Sequence, residues 1–442
     1  MTGEGLEASS GAPARPAAAT RSDHYKWWVV VMLWFTCFFN YADRQAIFSI
    51  FPRLQEEFGF TDTHLGWIAS AFMWVYALSA PLAGFVGDRF RRRNLILGGF
   101  LFWSVVTAAT SGCARLWQFV AVRGLEGLGE AFYFPAAMSL ASDYHGPRTR
   151  SLALGIHQTS VYAGTIAGSW AGAWFAERMG WRSGFYFFGA AGVVLALILA
   201  AFLREPQRGR MDPVETNPEA HPSKPAPFWP TLGKMLRSPT VVILLIVFVG
   251  ANFVATIFMA WTPTFLVRKF GFKLAAAGLS GSVFIYVASA VGSPLAGWLA
   301  DRLSRRIAGG RIIVQGLGLA CGTGFIYLVG MTSSLPTLLV AMTGFGLCKG
   351  FYDSNIFASM FDVIEPRSRA TAAGVMNMVG WTGGAFGPLY LGWYAEHGRH
   401  AEEAANMSEA IARCSPIYLA GAVLLFLAVT VLRKREIRPV AQ

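Results

Sequence analysis

Long apolar runs separated by short polar stretches dominate the chain. Runs close to the roughly 20 residues that a helix needs to cross a bilayer core fall at about 26–50, 65–86, 94–112, 117–139, 151–174 and 183–203. Six more fall at about 239–264, 276–300, 311–331, 335–358, 369–394 and 415–433. The pattern predicts twelve membrane-spanning helices. The one long polar interruption, residues 205–238, carries seven prolines, too many for a continuous helix. It reads as a linker between two sets of six. The expected organisation is a tail (1–24), a six-helix bundle (25–204), the linker (205–238), a second six-helix bundle (239–433) and a short tail (434–442).

Composition supports a lipid environment. Of 442 residues, 54% are hydrophobic and 14% charged, with a mean hydropathy of +0.44, too few charges to cover a soluble surface of this size. The net charge of +12 raises the question of nucleic acid, but the basic residues alternate by side rather than forming one patch. With an internal N-terminus, Arg89 to Arg93, Arg148, Arg150, Arg204 to Arg210, Arg302 to Arg311, Arg367, Arg369 and Arg433 to Arg438 all fall on one face. This positive-inside asymmetry places both termini in the cytoplasm and suits a bacterial inner membrane, with no nucleic-acid partner. The five cysteines lack paired spacing and read as free buried thiols. The first 24 residues, rich in Gly, Ala, Ser and Pro, have no apolar core and read as a disordered tail rather than a signal peptide.

The halves repeat each other. "GFVGDRFRRR" (Gly84 to Arg93) returns as "GWLADRLSRR" (Gly297 to Arg306) after 213 residues. "PRTRSLALG" (from Pro147) returns as "PRSRATAAG" (from Pro366), and "GLGEAFY" (from Gly127) as "GLCKGFY" (from Gly346), both after 219. Similar bundles flanking a central path are a known transporter plan. By this offset Glu130 and Lys349 occupy equivalent places.

Ionisable residues inside spans are costly and mark functional sites by default. Arg123, Glu126 and Glu130 follow a three-then-four spacing that puts them on one helical stripe. Asp43 and Arg44 are adjacent in the first span. These five can form a network in which the arginines favour ionised carboxylates and burial favours protonated ones; the alternative is a static buried ion-pair cluster. Lys349 and Asp353, four apart, share a face in the tenth span, either as a substrate site or as a plain helical ion pair. Tyr41, Tyr76, His157, Gln158 and Asn377 are lesser candidates for hydrogen bonding, and of the neighbours His157 and Gln158 only one can face the path. Gly164, Gly168 and Gly172 form a small-residue stripe for close helix approach, and "GGAFGP" with Pro388 allows bending.

Twelve spans in two repeats, with Gly-x-x-x-Asp-Arg-x-x-Arg-Arg after spans two and eight, resemble the major facilitator superfamily: an all-α membrane protein of two pseudo-symmetric six-helix bundles. "NYADR", "AFMWVY", "RGLEGLGEAFYFPA" and "GVMNMVGWTGGAFGP" most resemble its anion:cation symporters, which include galactonate and hexuronate transporters and sialin. A weaker resemblance runs to the Spinster transporters. The symporter resemblance implies that Asp43 and Glu130 carry the proton while Arg44 and Arg123 handle pairing and the anion. It also implies a cytoplasmic gate at the doubled motif, at Asp88, Arg89, Arg92, Asp301, Arg302 and Arg305. The sequence has no ATP-binding Gly-x-x-x-x-Gly-Lys-Ser/Thr loop, and no nucleophile or metal cluster stands out. The expectation is therefore a monomeric, cofactor-free carrier driven by the proton gradient that imports a small organic anion. The alternatives are a Spinster-like lysolipid exporter or flippase and a proton-coupled antiporter.

Overall fold

A computed structural model describes residues 21–145, 149–206, 228–364 and 369–432, and within them the chain is helical throughout. The tails, the basic stretches around Arg148 and Arg367, and most of the linker lie outside the described residues. The first half runs α1 (Arg21–Ser49), α2 (Phe51–Phe58), α3 (Asp62–Arg89), α4 (Arg92–Thr110), α5 (Leu116–Ala131), α6 (Tyr133–Tyr144), α7 (Arg150–Arg178) and α8 (Trp181–Phe202). The second runs α9 (Phe228–Arg237), α10 (Pro239–Phe270), α11 (Leu274–Ser304), α12 (Gly310–Met331), α13 (Leu335–Asp353), α14 (Ile356–Phe361), α15 (Arg369–Gly384), α16 (Phe386–His397), α17 (Glu403–Arg413) and α18 (Ser415–Leu427). Helix α9 occupies the last part of the stretch read as linker. Gly59 and Gly271 end α2 and α10 with left-handed φ values of 66° and 65°, a cap that any side chain would strain.

Among the described residues, eight stretches are long and apolar enough to cross a membrane. The expected spans at 26–50, 117–139, 151–174 and 369–394 are missing from that set. They contain Asp43 and Arg44, then Arg123, Glu126 and Glu130, then the Gly- and Ser-rich α7, then Asn377: the polar positions of the interior lower their hydropathy.

Prolines explain how several helices break and meet. Pro135 has no N–H for the carbonyl of Ala131, and the expected 117–139 span divides there into α5 and α6. Pro388 likewise deprives Gly384, where α15 ends; Thr256 Oγ1 of α10 donates to that freed carbonyl at 2.6 Å, and Ser70 Oγ of α3 to the next one, Ala385, at 2.5 Å. Pro263 frees the carbonyl of Met259 within α10, and Gln45 Nε2 of α1 donates to it at 2.9 Å. Buried backbone groups in an apolar medium must find partners, and two of these three donors come from the other half of the chain.

Small residues set the other approaches. A methyl group added at Gly168 on α7 would lie 2.1 Å from the Ala42 carbonyl oxygen on α1, and Gly164 and Gly172 meet Phe38 and Ala46 in the same way. Between the halves, Ser169 Oγ of α7 donates to Gly278 O of α11 at 2.7 Å. Four of the cysteines are buried, whereas Cys321 on α12 is exposed, contrary to the sequence expectation.

Candidate functional site

The five charges predicted to meet do meet, at the junction of α1, α4 and α5, each at most 3% exposed. Arg44 directs Nε at Glu130 Oε2 (3.0 Å) and pairs its Nη2 with the same oxygen and with Asn40 Oδ1 (3.2 Å). Arg123 pairs with Glu126, one turn away on α5. Phe72 of α3 is shared by both guanidinium groups, whose central carbons lie 4.5 and 4.7 Å from its ring centre. Tyr41 and Tyr76 also face Arg44, at 4.5 and 5.2 Å. Such cation–π contacts supply favourable contacts to charges that have left water.

Asp43 points elsewhere, as neighbouring helical residues must. Its Oδ1 accepts from the backbone N–H of Arg44 (2.7 Å), and its Oδ2 lies 3.2 Å from Thr107 Oγ1 of α4. The same Thr107 oxygen is 3.1 Å from Glu126 Oε1. One oxygen each from Asp43, Glu126 and Glu130 fall within 4.8 Å of one another. That spacing suits a cation, but Arg44 and Arg123 already bring two positive charges to these three carboxyls, so the cluster supplies its own.

Across the interface, Lys349 pairs with Asp353 on α13. Lys349 also lines a pocket of about 10 Å³, room for one water, with Gln45, Tyr286, Met259 and Phe345. Asn377 is half-buried on α15, one turn from Trp381, whose ring meets Tyr76 at 5.9 Å. His157 is buried against the Tyr133 hydroxyl (3.0 Å) while Gln158 is exposed, so the histidine packs rather than facing the path.

The doubled motif behaves differently in its two copies. Arg92 is buried and bound within its own half, paired with Asp143 and bonded to Glu205 Oε1 (3.2 Å) and Ser139 Oγ (3.0 Å). Asp301 is exposed and pairs with Arg311 (3.0 Å), which also holds Asp362 (2.6 Å). Arg302 lies over the Trp298 ring, and Arg305 is exposed. The side chains of Asp88 and Arg89 lie outside the described residues. Sequence reasoning missed Thr107, Gln45, Tyr286 and Phe72, whose roles come from neighbours on other helices.

Buried charges at the centre of a helical membrane bundle point to a carrier, and comparison with known proteins settles its family: residues 33–388, and again 270–440, match the Major Facilitator Superfamily. The chain belongs to that superfamily. It is a multi-pass membrane protein. It is 32% identical to human protein spinster homolog 1 over 270 residues, 60% of this chain and 49% of that protein. The match thus spans about half of the spinster relative's length. A probable galactarate/D-glucarate transporter of Escherichia coli is 25% identical over 400 residues, 83% of this chain and 86% of that one. Among solved structures, a bacterial homologue of the human lysosomal transporter Spinster, inward-facing and unoccupied, superposes with a TM-score of 0.83 at 22% identity, covering 94% of this chain and 99% of that one. The Spinster likeness is thus stronger than the sequence motifs alone suggested.

Proposed function

We propose that the protein imports a small organic anion, a sugar acid or similar carboxylate, in symport with protons, by alternating access of two six-helix bundles. The twelve-span, two-bundle reading is supported by helix starts that keep the sequence offset: Leu116 and Leu335 open α5 and α13, 219 residues apart. The linker divides the bundles, and both termini face the cytoplasm of a bacterial cell with the chain acting as a monomer.

The observation that carries the reading is the pairing of Arg44 with Glu130 inside a cluster of three carboxyls and two guanidinium groups. An anion that draws Arg44 or Arg123 away leaves a carboxylate unpaired in a dry site, which then takes up a proton. Asp43 and Glu130 carry protons in this scheme. Arg44, Arg123 and Lys349 attract the anion, Asp353 holds Lys349 when the site is empty, and Tyr41, Tyr76 and Asn377 bind hydroxyls. Asp88, Arg89, Arg92, Asp301, Arg302 and Arg305 form the cytoplasmic gate; Asp88→Asn slows turnover more than it weakens binding.

A second reading, movement of an amphipathic lipid, is favoured by the likeness to the Spinster proteins in sequence and fold. Thermal unfolding of the purified protein with D-glucarate, phosphate or a lysophospholipid separates the two, because a ligand of the folded state raises its stability. Stabilisation by D-glucarate supports the anion reading; stabilisation by lysophospholipid alone overturns it.

A further inference from the structure

We infer that Thr107 is the hydroxyl link of a proton relay between Asp43 and Glu126, making Glu126 a proton-carrying member of the coupling site. The inference deepens the symport reading and rests on it for its consequence, though not for its geometry.

A threonine hydroxyl has one proton to donate and lone pairs to accept with. Thr107 Oγ1 is fully buried and stands between two carboxyl oxygens, 3.2 Å from Asp43 Oδ2 and 3.1 Å from Glu126 Oε1. It does not turn back to a carbonyl of its own helix, as Thr110 does to Val106. With both carboxyls ionised, one of its two contacts would bring lone pair against lone pair in a site without water to relieve it. One added proton removes the conflict. A carboxylic acid on one side donates to Oγ1, and Oγ1 donates to the carboxylate on the other side.

Charge agrees with this count. Asp43, Glu126 and Glu130 bring three negative charges, and Arg44 and Arg123 bring two positive ones. The other titratable groups facing the cluster are Tyr41 and Cys37 on α1 and Tyr76 on α3, all neutral in their ordinary form, while His157 of α7 is engaged with Tyr133. An uncompensated buried charge is expensive, and one proton brings the cluster to neutrality. Glu130 is opposed by two guanidinium donors from Arg44 and Glu126 by Arg123, so the proton rests on Asp43, which bonds to neither guanidinium, and Thr107 connects it to Glu126.

The step balances without further reactants. The O–H bond of protonated Glu126 breaks as its proton forms a bond to Thr107 Oγ1. The original Thr107 O–H breaks as that proton bonds to Asp43 Oδ2. Threonine is regenerated, and one proton has moved from α5 to α1 between two helices that need not touch.

The test uses the full-length protein in liposomes. Infrared difference spectra recorded as pH is stepped report the carbonyl stretch of a protonated carboxyl, assigned by its loss in Asp43→Asn or Glu126→Gln. Wild type should show this band near neutral pH, shifted down by hydrogen bonding. Thr107→Val, which keeps the shape and loses the hydroxyl, should shift the band up, and Thr107→Ser should restore it. Proton-driven uptake of D-glucarate, used as probe, should fall about 10²-fold in Thr107→Val, the lower end of what a positioned proton-transfer group contributes, and recover in Thr107→Ser. Absence of the band in wild type, or a Thr107→Val protein identical to wild type in band position, overturns the relay. Because the band is read without substrate, a failure of D-glucarate to move refutes the cargo and leaves the relay to be judged by the spectrum.

Discussion

Arg268, in the last turn of α10, grips Asp62, the first residue of α3, with both terminal nitrogens, at 2.8 and 2.7 Å. Asp62 is only 2% exposed, and Gln55 of α2 bonds to both partners, at 2.8 and 2.6 Å. Beside this clamp, Glu396 of α16 accepts from the Thr63 hydroxyl at 2.6 Å. The two halves of the chain are thereby locked together at the end of the bundle that carries α2, as the proposed alternating access requires of one face at a time.

Arg268→Gln should release this lock. It strands the buried Asp62 carboxylate, and removing one partner of a buried pair costs about 3–5 kcal/mol, a penalty that falls only on the arrangement closed at this face. Electron-electron distance measurements between spin labels at the exposed positions Glu56 and Arg399 should gain a longer population in the variant. An unchanged distribution would show that the clamp does not set the equilibrium.

The two copies of the basic motif should respond unequally to substitution. Arg92→Ala removes the buried guanidinium shared by Asp143, Glu205 and Ser139 and should lower unfolding free energy by about 3–5 kcal/mol. Asp301→Asn removes an exposed pair and should cost less than about 1 kcal/mol. Thermal unfolding in detergent measures both, and equal losses would contradict the difference in burial.

Gly168→Ala should destabilise the α1 and α7 packing by about 1–3 kcal/mol through overpacking, since the new methyl has no room against Ala42. Gly155→Ala on the same helix meets nothing within 4 Å and should stabilise it by roughly 0.5–1 kcal/mol. Opposite signs in melting temperature are the expected result; two losses of the same size would not fit.

Much of this site was legible in the sequence because helical spacing fixes direction. Arg123, Glu126 and Glu130 had to share a stripe, and Lys349 had to reach Asp353, since each set lies on one helix. Thr107 and Gln45 were not legible: an isolated threonine in "WSVVTAAT" or a glutamine after "ADR" carries no spacing signal, and their partners are supplied by other helices. The same holds for Arg268 and Asp62, which no spacing signal links because 206 residues separate them. Pro388 announced a bend, but that Thr256 would take up the freed carbonyl depended on how α10 packs.

Lys349→Gln should raise the KM for an organic anion roughly tenfold to a hundredfold, the loss of about 1.5–3 kcal/mol carried by a charged hydrogen bond. The maximal rate should change less. A KM unaffected by the substitution would remove Lys349 from the substrate path and leave it as an ion pair on α13.

The central claim, that Asp43 and Glu130 couple anion movement to protons, is tested most directly in proteoliposomes under an imposed inward proton gradient. The account predicts that wild type accumulates D-glucarate, that a protonophore abolishes the accumulation, and that Asp43→Asn and Glu130→Gln each prevent it. Accumulation by both variants at the wild-type level would contradict it.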